Sequence, residues 1–367
     1  MKAKCKRKDL AEAIAIVERA VAVKSTMNIL EGIYIEARGS ELQFLSNNLE
    51  LGINCSIAAE IEQEGAVVVK ATLFSTAVKK LPDFEEYAVI KVDTNDTILL
   101  SCGNAKFDFS TAKADEFPRL ADVERKNSFT IKESLLKSMI RQTIYAIAQT
   151  DIKPQLSGLY FEIQDGLFHM VGCDGYRLAI RKETVENTEN LHFILPGKTA
   201  KELLSVIGDS DSEIEILLSQ KNAQLNLKNC IMVTRLIEGE YLDYRSVCKH
   251  KNTLEITTET KKILDSIDRA SMIVNETTKA HVVLKIEDDN VFINCETVMG
   301  KVKDKFSVDM SGEPIEIAFN PRYLMDAFKN CDCEEIKFSF STPVNPTTIE
   351  PAEGDSFLYI VLPVRMR

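Results

Sequence analysis

The sequence lacks any apolar run near the roughly 18 residues that a membrane-spanning helix needs. Its basic N-terminal stretch, residues 1–8, is followed by Asp9 and Glu12 instead of the apolar core of a secretory signal. We therefore expect a cytoplasmic protein with no membrane partner. Hydrophobic residues make up 45% of the chain and charged residues 28%, the usual balance of a globular protein. A length of 367 residues predicts two or three domains.

Cysteine and histidine are too scattered to indicate a metal centre. The nine cysteines are odd in number and show no pairing rhythm. The closest pair, Cys331 and Cys333, is one residue tighter than the usual zinc-binding pair. The four histidines lie far apart, at His169, His192, His250 and His281. We expect reduced and mostly buried thiols, no metal and no other cofactor.

Signatures of catalytic and nucleotide-binding sites are also missing. The chain contains no P-loop, HExxH, GxSxG or dinucleotide-binding fingerprint. Its close acidic pairs, Asp209 with Asp211 and Asp288 with Asp289, stand beside Gly, Ser or Asn, as exposed turn residues do. A metal-dependent nuclease would need several acids converging on a metal ion. We therefore expect a protein that is not an enzyme.

One structural unit recurs three times along the chain. Each copy has a helical stretch, alternating strand-like stretches and a second helical stretch, which begins near Ala71, Gly197 and Asn320 in turn. A repeat of about 125 residues is a whole domain rather than a solenoid unit. The sequence predicts an α+β fold of three tandem domains, each with two helices on antiparallel sheet. The predicted domains cover residues 1–125, 126–250 and 251–367.

Basic charge is enriched on the predicted helices, although the net charge of the chain is -11. If the helices share one surface, that surface suits a phosphate backbone, with an attraction that does not depend on base sequence. The alternative is that these are ordinary solvated helix faces. The helices are predicted over residues 8–20, 71–81, 132–147, 197–208, 259–274 and 320–330. The charges in question are Lys79, Lys80, Lys137, Arg141, Lys198, Lys201, Lys261, Lys262, Arg269 and Lys329.

Two turn signals lie near the middle of the chain. Asp165-Gly166 predicts a hairpin, and Asp174-Gly175 predicts a second turn soon after it. Because Gly175 can adopt positive φ, the second turn can present the three residues that follow it together. Taken alone, the segment is best interpreted as an ordinary tight turn in a sheet domain.

Several segments resemble the bacterial DNA polymerase III beta subunit family, the sliding clamps of replication. They occur in the family's order and at about its spacing, and the resemblance covers the whole chain. The segments are Phe107-Asp108-Phe109-Ser110-Thr111, Asp115-Glu116-Phe117-Pro118, residues 173–179, residues 238–244 and residues 359–365. Each segment is weakly specific by itself, but together with the threefold repeat they form a specific pattern.

The resemblance implies the DNA clamp fold and a head-to-tail homodimer that closes into a six-domain ring around double-stranded DNA. A ring holds DNA by topology, so weak phosphate contacts that permit sliding suit it better than strong ones. The implied DNA-facing residues are Lys24, Gln149 and Lys198, with Lys79, Lys80, Lys137, Arg141 and Lys201 on the helix faces. The implied dimer interface joins Phe107 and Phe109 of one chain to Met272 and Ile273 of the other. These four residues could also be ordinary core residues.

The resemblance also implies a pocket between the second and third domains that binds short peptides with apolar and aromatic anchors. Its partners would be the replicative polymerase, the clamp loader, repair polymerases and mismatch-repair proteins. The expected pocket residues are Leu156, Cys173, Gly175, Tyr176, Arg177, Leu178, Leu242, Val247, Pro346, Ile360, Leu362 and Val364. Many family members carry His where this chain has Tyr176 and Pro where it has Leu242, which leaves the peptide preference open.

A monomeric repeat scaffold is the other possible function. It would bind protein partners through the same pocket and would never encircle DNA. Only the edges at Phe107, Phe109, Met272 and Ile273 distinguish it from a ring-forming clamp.

Overall fold

The computed structural model describes residues 1–93, 96–123, 127–150, 152–187, 189–249, 251–274 and 280–366. The chain divides into two compact units, Met1–Ser134 with Ser205–Leu236, and Leu135–Leu204 with Ile237–Arg367. These units cut across the predicted domains because a sheet continues through each predicted junction. The boundary residues 125, 126 and 250 lie outside the described ranges, so the exact boundaries stay a prediction.

Seven helices are present in the described residues. They are α1 (Arg7–Val17), α2 (Ala71–Lys79), α3 (Glu133–Ile144), α4 (Gly197–Val206), α5 (Tyr244–Val247), α6 (Thr260–Ser271) and α7 (Pro321–Lys329). All six predicted helices are found, each ending slightly earlier than expected. For α1 the reason is a 3-10 turn, Glu18–Ala20, that replaces its last turn. The short α5 was not predicted, and the carboxylate of Asp243 caps it by accepting from the backbone N–H of Ser246.

Antiparallel strands make up most of the remaining structure. In the first half of the chain they are β1 (Lys2–Lys6), β2 (Gly32–Arg38), β3 (Glu41–Asn47), β4 (Leu51–Gln63), β5 (Gly65–Lys70), β6 (Tyr87–Val92), β7 (Thr97–Cys102), β8 (Ala105–Lys113), β9 (Asn127–Lys132), β10 (Gly158–Gln164), β11 (Leu167–Cys173) and β12 (Arg177–Thr184). In the second half they are β13 (Leu191–Pro196), β14 (Glu213–Leu218), β15 (Asn222–Asn226), β16 (Cys230–Arg235), β17 (Leu254–Glu259), β18 (Val282–Glu287), β19 (Asn290–Thr297), β20 (Gly300–Ser307), β21 (Asp309–Gly312), β22 (Ile315–Phe319), β23 (Glu335–Phe340), β24 (Thr347–Pro351) and β25 (Phe357–Val361).

The first unit contains one twelve-stranded sheet in the order β1-β6-β7-β8-β5-β2-β3-β4-β16-β15-β14-β9. Because β1 also pairs with β4, the first eight of these strands close on themselves. Helix α1 packs its buried stripe, which includes Leu10 and Ile14, toward β3 and β4. The ladder between β4 and β16 connects the strands of the N-terminal part to those of the central part.

The second unit contains a nine-stranded sheet, β13-β10-β11-β12-β25-β24-β23-β17-β21, and a four-stranded sheet, β20-β19-β18-β22. The core between these sheets and the paired helices α6 and α7 is rich in aromatic rings, among them Phe319, Phe328 and Phe338. The turns at Asp165-Gly166 and Asp174-Gly175 join β10, β11 and β12 as predicted. The ladder between β12 and β25 then brings the end of the chain beside the second turn.

Candidate peptide-binding site

The turn between β11 and β12 forms one wall of the site. Gly175 has φ +89°, which a residue with a side chain rarely adopts, and its amide N–H donates to the Sγ of Cys173 at 3.3 Å. The carboxylate of Asp174 accepts hydrogen bonds from the backbone N–H groups of Tyr176 at 2.8 Å and Arg177 at 3.0 Å. These bonds hold the turn in a conformation that leaves the Tyr176 side chain 61% exposed.

The side chain of Arg177 fixes the position of this turn. Its Nε donates to Asp174 at 3.1 Å, and its Nη1 donates to Asp326 on α7. The guanidinium also lies 4.7 Å from the ring centroid of Tyr323 and 5.4 Å from that of Tyr145. Because the side chain is only 10% exposed and two donors are bound to carboxylates of the chain, it cannot reach far into a ligand. Arg177, expected as a pocket residue, therefore positions the turn through Asp174 and Asp326.

An apolar cluster forms the floor of the site beside this turn. Its buried members include three predicted pocket residues, Cys173, Leu178 and Ile360. Three more predicted residues, half-buried at the rim, pack against the cluster: Leu156, Leu242 and Val247. Half-buried aliphatic side chains over a buried apolar floor offer a complementary surface to Leu and Phe side chains.

The C-terminal segment contributes the other predicted wall residues. The amide N–H of Leu362 donates to the backbone oxygen of Tyr176 at 2.9 Å, which places the segment against the turn. Two residues later, the amide N–H of Val364 donates to the backbone oxygen of Ala318 at 2.7 Å. Leu362, Val364 and Pro346 are all half-buried. Pro346 and Val364 are not part of the apolar cluster, and Val364 instead lines a cleft together with Tyr176.

A cleft of about 840 Å3 continues from the turn along α7. Tyr176 and Val364 line it together with Asn320 and Tyr323, which the sequence reasoning assigned only to a helix. The rings of Tyr176 and Tyr323 lie nearly parallel, with centroids 6.1 Å apart. No local signal in the sequence brings α7 to the turn, since the two segments are about 150 residues apart.

Aromatic residues at the rim were also missed by the sequence reasoning. Tyr160 and Tyr241 stack with ring centroids 4.7 Å apart, and both contact the cluster. Tyr244 is buried in the cluster, and its hydroxyl donates to Glu162 at 2.5 Å. A usable signal existed, because Tyr241 and Tyr244 belong to the 238–244 segment that carries part of the family pattern.

A carboxylate organises these rim residues. Glu162 accepts two hydrogen bonds from the guanidinium of Arg245, at 2.6 and 3.1 Å, in addition to the Tyr244 bond. Burial acts to raise the pKa of Glu162, but the hydrogen bonds from Arg245 and Tyr244 outweigh it, and the net pKa is lowered. Burial raises the pKa of Tyr160 to about 12. Glu162 is therefore ionised and ties α5 to β10 at neutral pH.

Family models for the DNA polymerase III beta subunit match three consecutive parts of the chain. They are the N-terminal domain at residues 1–121, the central domain at residues 130–243 and the C-terminal domain at residues 245–365. The chain belongs to the DNA polymerase III beta subunit family.

Individual relatives of this clamp family agree with that assignment. The beta sliding clamp of Bacillus subtilis strain 168 is 30% identical over 380 residues, covering 100% of both chains. The crystal structure of the Bacillus subtilis sliding clamp superposes with a TM-score of 0.96 at 29% identity, covering 100% of both chains. That of a putative DNA polymerase III beta subunit from Eubacterium rectale gives a TM-score of 0.94 at 33% identity, covering 99% of each.

Family membership confirms two expectations from the sequence. The fold is three tandem clamp domains. The clamp family consists of processivity factors without catalytic activity, which confirms the expectation of a non-enzyme. Within the described ranges, no helix is long and apolar enough to cross a membrane.

The residues expected at the clamp interface lie at strand edges and on the surface. Residues 105–110 of β8 pair with β7 along one edge. Among the described residues, no strand pairs with their other edge. Phe107 and Phe109 are half-buried there, and Phe109 meets Phe74 of α2 edge-on at 6.4 Å. Met272, just after α6, is 81% exposed. Its exposure excludes the alternative that Met272 is a core residue, while Ile273 is half-buried against the core.

The residues expected to face DNA are placed in loops and on helices. Lys24 and Gln149 lie in exposed loops, and Lys198 is exposed on α4. Two other expected residues are ion-paired: Lys79 with Glu18 at 2.6 Å, and Arg141 with Asp332 at 2.6 and 2.7 Å. Of the remaining three, Lys80 and Lys201 are exposed, and Lys137 is half-buried on α3.

Ion pairing makes the basic surface weaker than the residue counts implied. On α6, Lys261 pairs with Asp265 at 2.7 Å, and Arg269 pairs with Asp304 of β20 at 2.5 Å. Lys262 pairs with Glu259 at 3.4 Å. A count by element misses the Arg269 pair, because Asp304 comes from a neighbouring strand.

One expectation about the cysteines is wrong. Cys55 and Cys230 are joined by a disulfide bond, although we expected reduced thiols throughout. The pairing could not be read from the sequence, because 175 residues separate the two cysteines and only the β4–β16 register brings them together. The other seven cysteines are free thiols, as expected.

Proposed function

We propose that the protein works in the cytoplasm as a homodimeric sliding clamp. Two chains of three domains, with boundaries near residues 125 and 250, would form a ring around duplex DNA. The ring would tether the replicative polymerase and, in turn, the clamp loader, repair polymerases and mismatch-repair proteins. The observation that carries this proposal is the full-length match to beta sliding clamps.

The strand edges support ring closure by a second copy. The free edge of β8 carries Phe107 and Phe109, and β20 pairs only with β19 in the described residues, which leaves a second free edge. Exposed edges and apolar residues such as Met272 invite aggregation unless something covers them. A head-to-tail dimer covers both edges, once in each of its two interfaces.

The pocket supports the tethering function. Its apolar floor suits Leu and Phe anchors, and the turn at residues 173–177 with the cleft along α7 supplies an aromatic wall. The DNA-facing role of Lys24, Gln149 and Lys198 rests on their exposure and on the family resemblance. Among the described residues, Lys24, Lys80 and Lys198 have no ion-pair partner, so their charge is available to phosphate.

Light scattering tests the dimer directly. The wild-type protein should show about twice the 41.2 kDa chain mass. A Met272→Ala/Ile273→Ala variant should fall to one chain mass, because it removes the apolar contacts of one side of both interfaces. A Val23→Ala/Leu49→Ala variant changes two exposed apolar residues elsewhere and should stay dimeric.

Mixing complementary variants sharpens this test. A Phe107→Ala/Phe109→Ala variant should also be monomeric, and its mixture with the Met272/Ile273 variant should partly recover dimers. One interface of such a mixed ring joins two unmutated edges, because the contact is heterologous. A wild-type monomer at micromolar concentration would support the scaffold alternative, and a dimer that survives both double substitutions would place the interface elsewhere.

A further inference from the structure

Cys55 and Cys230 face each other across the β4–β16 ladder. The register pairs Cys230 with Cys55, Ile231 with Asn54 and Met232 with Ile53, and the Cα atoms of the two cysteines are 4.1 Å apart. On the neighbouring rung, the amide N–H of Ser56 donates to the backbone oxygen of Asn229 at 2.9 Å. Cys55 and Cys230 therefore form a non-hydrogen-bonded pair of the antiparallel ladder, the kind of pair in which opposite side chains lie closest together. The two sulfur atoms meet because the sheet register places them there.

The position of this pair in the fold is specific. Strand β4 belongs to the N-terminal domain of the family and β16 to the central domain. In the twelve-stranded sheet, the β4–β16 ladder is the single connection between the strands of these two parts within the described residues. A covalent bond on this ladder links the two domains through the sheet as well as through the chain.

We propose that Cys55 and Cys230 form a redox-reactive thiol pair, a modification site for low-molecular-weight disulfides and thiols. Oxidation proceeds by two exchange steps. The thiolate of Cys230 attacks a small disulfide, forming a mixed disulfide and releasing one small thiolate, which takes up the proton that Cys230 lost. The thiolate of Cys55 then attacks the Cys230 sulfur and releases the second small thiol. The protein pair loses two electrons and two protons, and the small disulfide is reduced to two thiols.

Cys230 is the sulfur that exogenous reagents reach first. It begins β16, directly after the exposed turn residues Lys228 and Asn229. Cys55 lies inside β4, between β3 and β16, and is fully buried. When the β15–β16 hairpin opens at its turn, Cys230 becomes exposed to solvent. Strand β4, which carries Cys55, stays paired with β3. Exchange is therefore slow in the folded protein and limited by local opening.

The other neighbouring thiols differ from this pair. Cys5 and Cys102 are close enough to interact electrostatically, and burial raises the pKa of Cys5 to about 12. Cys331 and Cys333 are close in sequence, and burial raises the pKa of both. All four are free thiols, and no pair among them faces across one ladder rung. Specificity for Cys55 and Cys230 thus comes from the sheet register.

The test uses the full-length protein without any partner or DNA, so its outcome does not depend on clamp function. The protein is equilibrated with oxidised or reduced glutathione, quenched with an alkylating reagent, unfolded and mapped by mass spectrometry. We expect seven alkylated cysteines and one cross-linked Cys55–Cys230 peptide pair after oxidation, against nine alkylated cysteines after reduction. The melting temperature of the oxidised form should be higher by about 5–10 °C.

Two variants control for unrelated effects. Cys55→Ala/Cys230→Ala should abolish the redox-dependent melting shift, whereas Cys331→Ser/Cys333→Ser should keep it. If the first variant does not fold, Cys230→Ser alone provides the same comparison, and the peptide map of the unmodified protein requires no variant. Nine alkylated cysteines after oxidation, a cross-link at another pair, or a shift that persists without Cys55 and Cys230 would each overturn the proposal.

Discussion

Single residues of the pocket divide into those that hold its shape and those left available for a partner. Arg177 holds the shape, because its guanidinium is bound to Asp174 and Asp326 and enclosed by two tyrosine rings. Burying an arginine without such partners would be strongly unfavourable. Tyr176, one residue earlier, is largely exposed and lines the cleft, which makes it the aromatic side chain most open to a ligand.

Replacing Tyr176 by alanine should weaken peptide binding without affecting the fold. Loss of an aromatic side chain at the centre of a protein interface typically costs about 2 kcal/mol, which corresponds to roughly a thirtyfold weaker dissociation constant. Isothermal titration calorimetry with a short peptide carrying Leu and Phe anchors would measure this change in the dissociation constant. The melting temperature of the variant should differ little from that of the wild type. Phe84→Ala removes an exposed aromatic residue in the first unit and is the matched control. Equal affinities of both variants and wild type would contradict a binding role for Tyr176.

At the scale of elements, the short helix α5 is stabilised by side chains and not by its length. One turn has too few internal hydrogen bonds to persist alone. The Asp243 cap, the burial of Tyr244 and the ion pair between Arg245 and Glu162 hold it against β10. Since Val247 and Leu242 flank this turn, the same contacts set the rim of the pocket.

Glu162→Gln should destabilise the protein in a pH-dependent manner. Because the folded-state pKa of Glu162 is lowered, its stabilisation is present above the ordinary carboxyl pKa of 4.5 and is lost as the pH falls through the folded value. We expect a loss of about 1.5 kcal/mol in unfolding free energy at neutral pH, reduced by the partial exposure of Arg245.

Urea unfolding of wild type and variant over a pH series would measure this difference. The difference in unfolding free energy between wild type and variant should narrow below the ordinary carboxyl pKa and disappear in strong acid. Glu240→Gln, which changes an exposed carboxylate in the neighbouring loop, should show no comparable gap. A gap that is independent of pH would mean that the Glu162 charge contributes nothing.

At the scale of the whole molecule, charge argues that DNA is retained by enclosure and not by adhesion. The net charge of the chain is -11, and at least five of the ten counted helix charges are paired with acids. Exposed lysines such as Lys80 and Lys198 provide only weak, salt-sensitive attraction to phosphate. An acidic protein of this kind binds open DNA poorly.

A protein loaded by a clamp loader onto nicked circular DNA should therefore stay bound through gel filtration. Cutting the DNA once should release it, because the ring then slides off the ends. Lys24→Ala/Lys198→Ala should leave retention on the circle nearly unchanged. Persistence on linear DNA with unblocked ends, or loss from the circle in the lysine variant, would show that contacts and not topology hold the DNA.

The sequence by itself determined much about this protein because its signals are local. Helical spacing and the Asp-Gly turns depend on residues close in the chain, and all six predicted helices are present. The threefold repeat and the family segments then indicated the clamp fold, and six of the predicted pocket residues meet in or against one apolar cluster.

Only the tertiary structure decided which distant residues meet. Four contacts join segments far apart in sequence: Arg177 with α7, Glu162 with α5, the ion pair of Arg269 with Asp304 on a neighbouring strand, and the Cys55–Cys230 bond. Such contacts depend on strand register and on how helices pack against the sheets. A shift of one residue in register turns every side chain to the opposite face, and composition and periodicity do not specify that choice between distant strands.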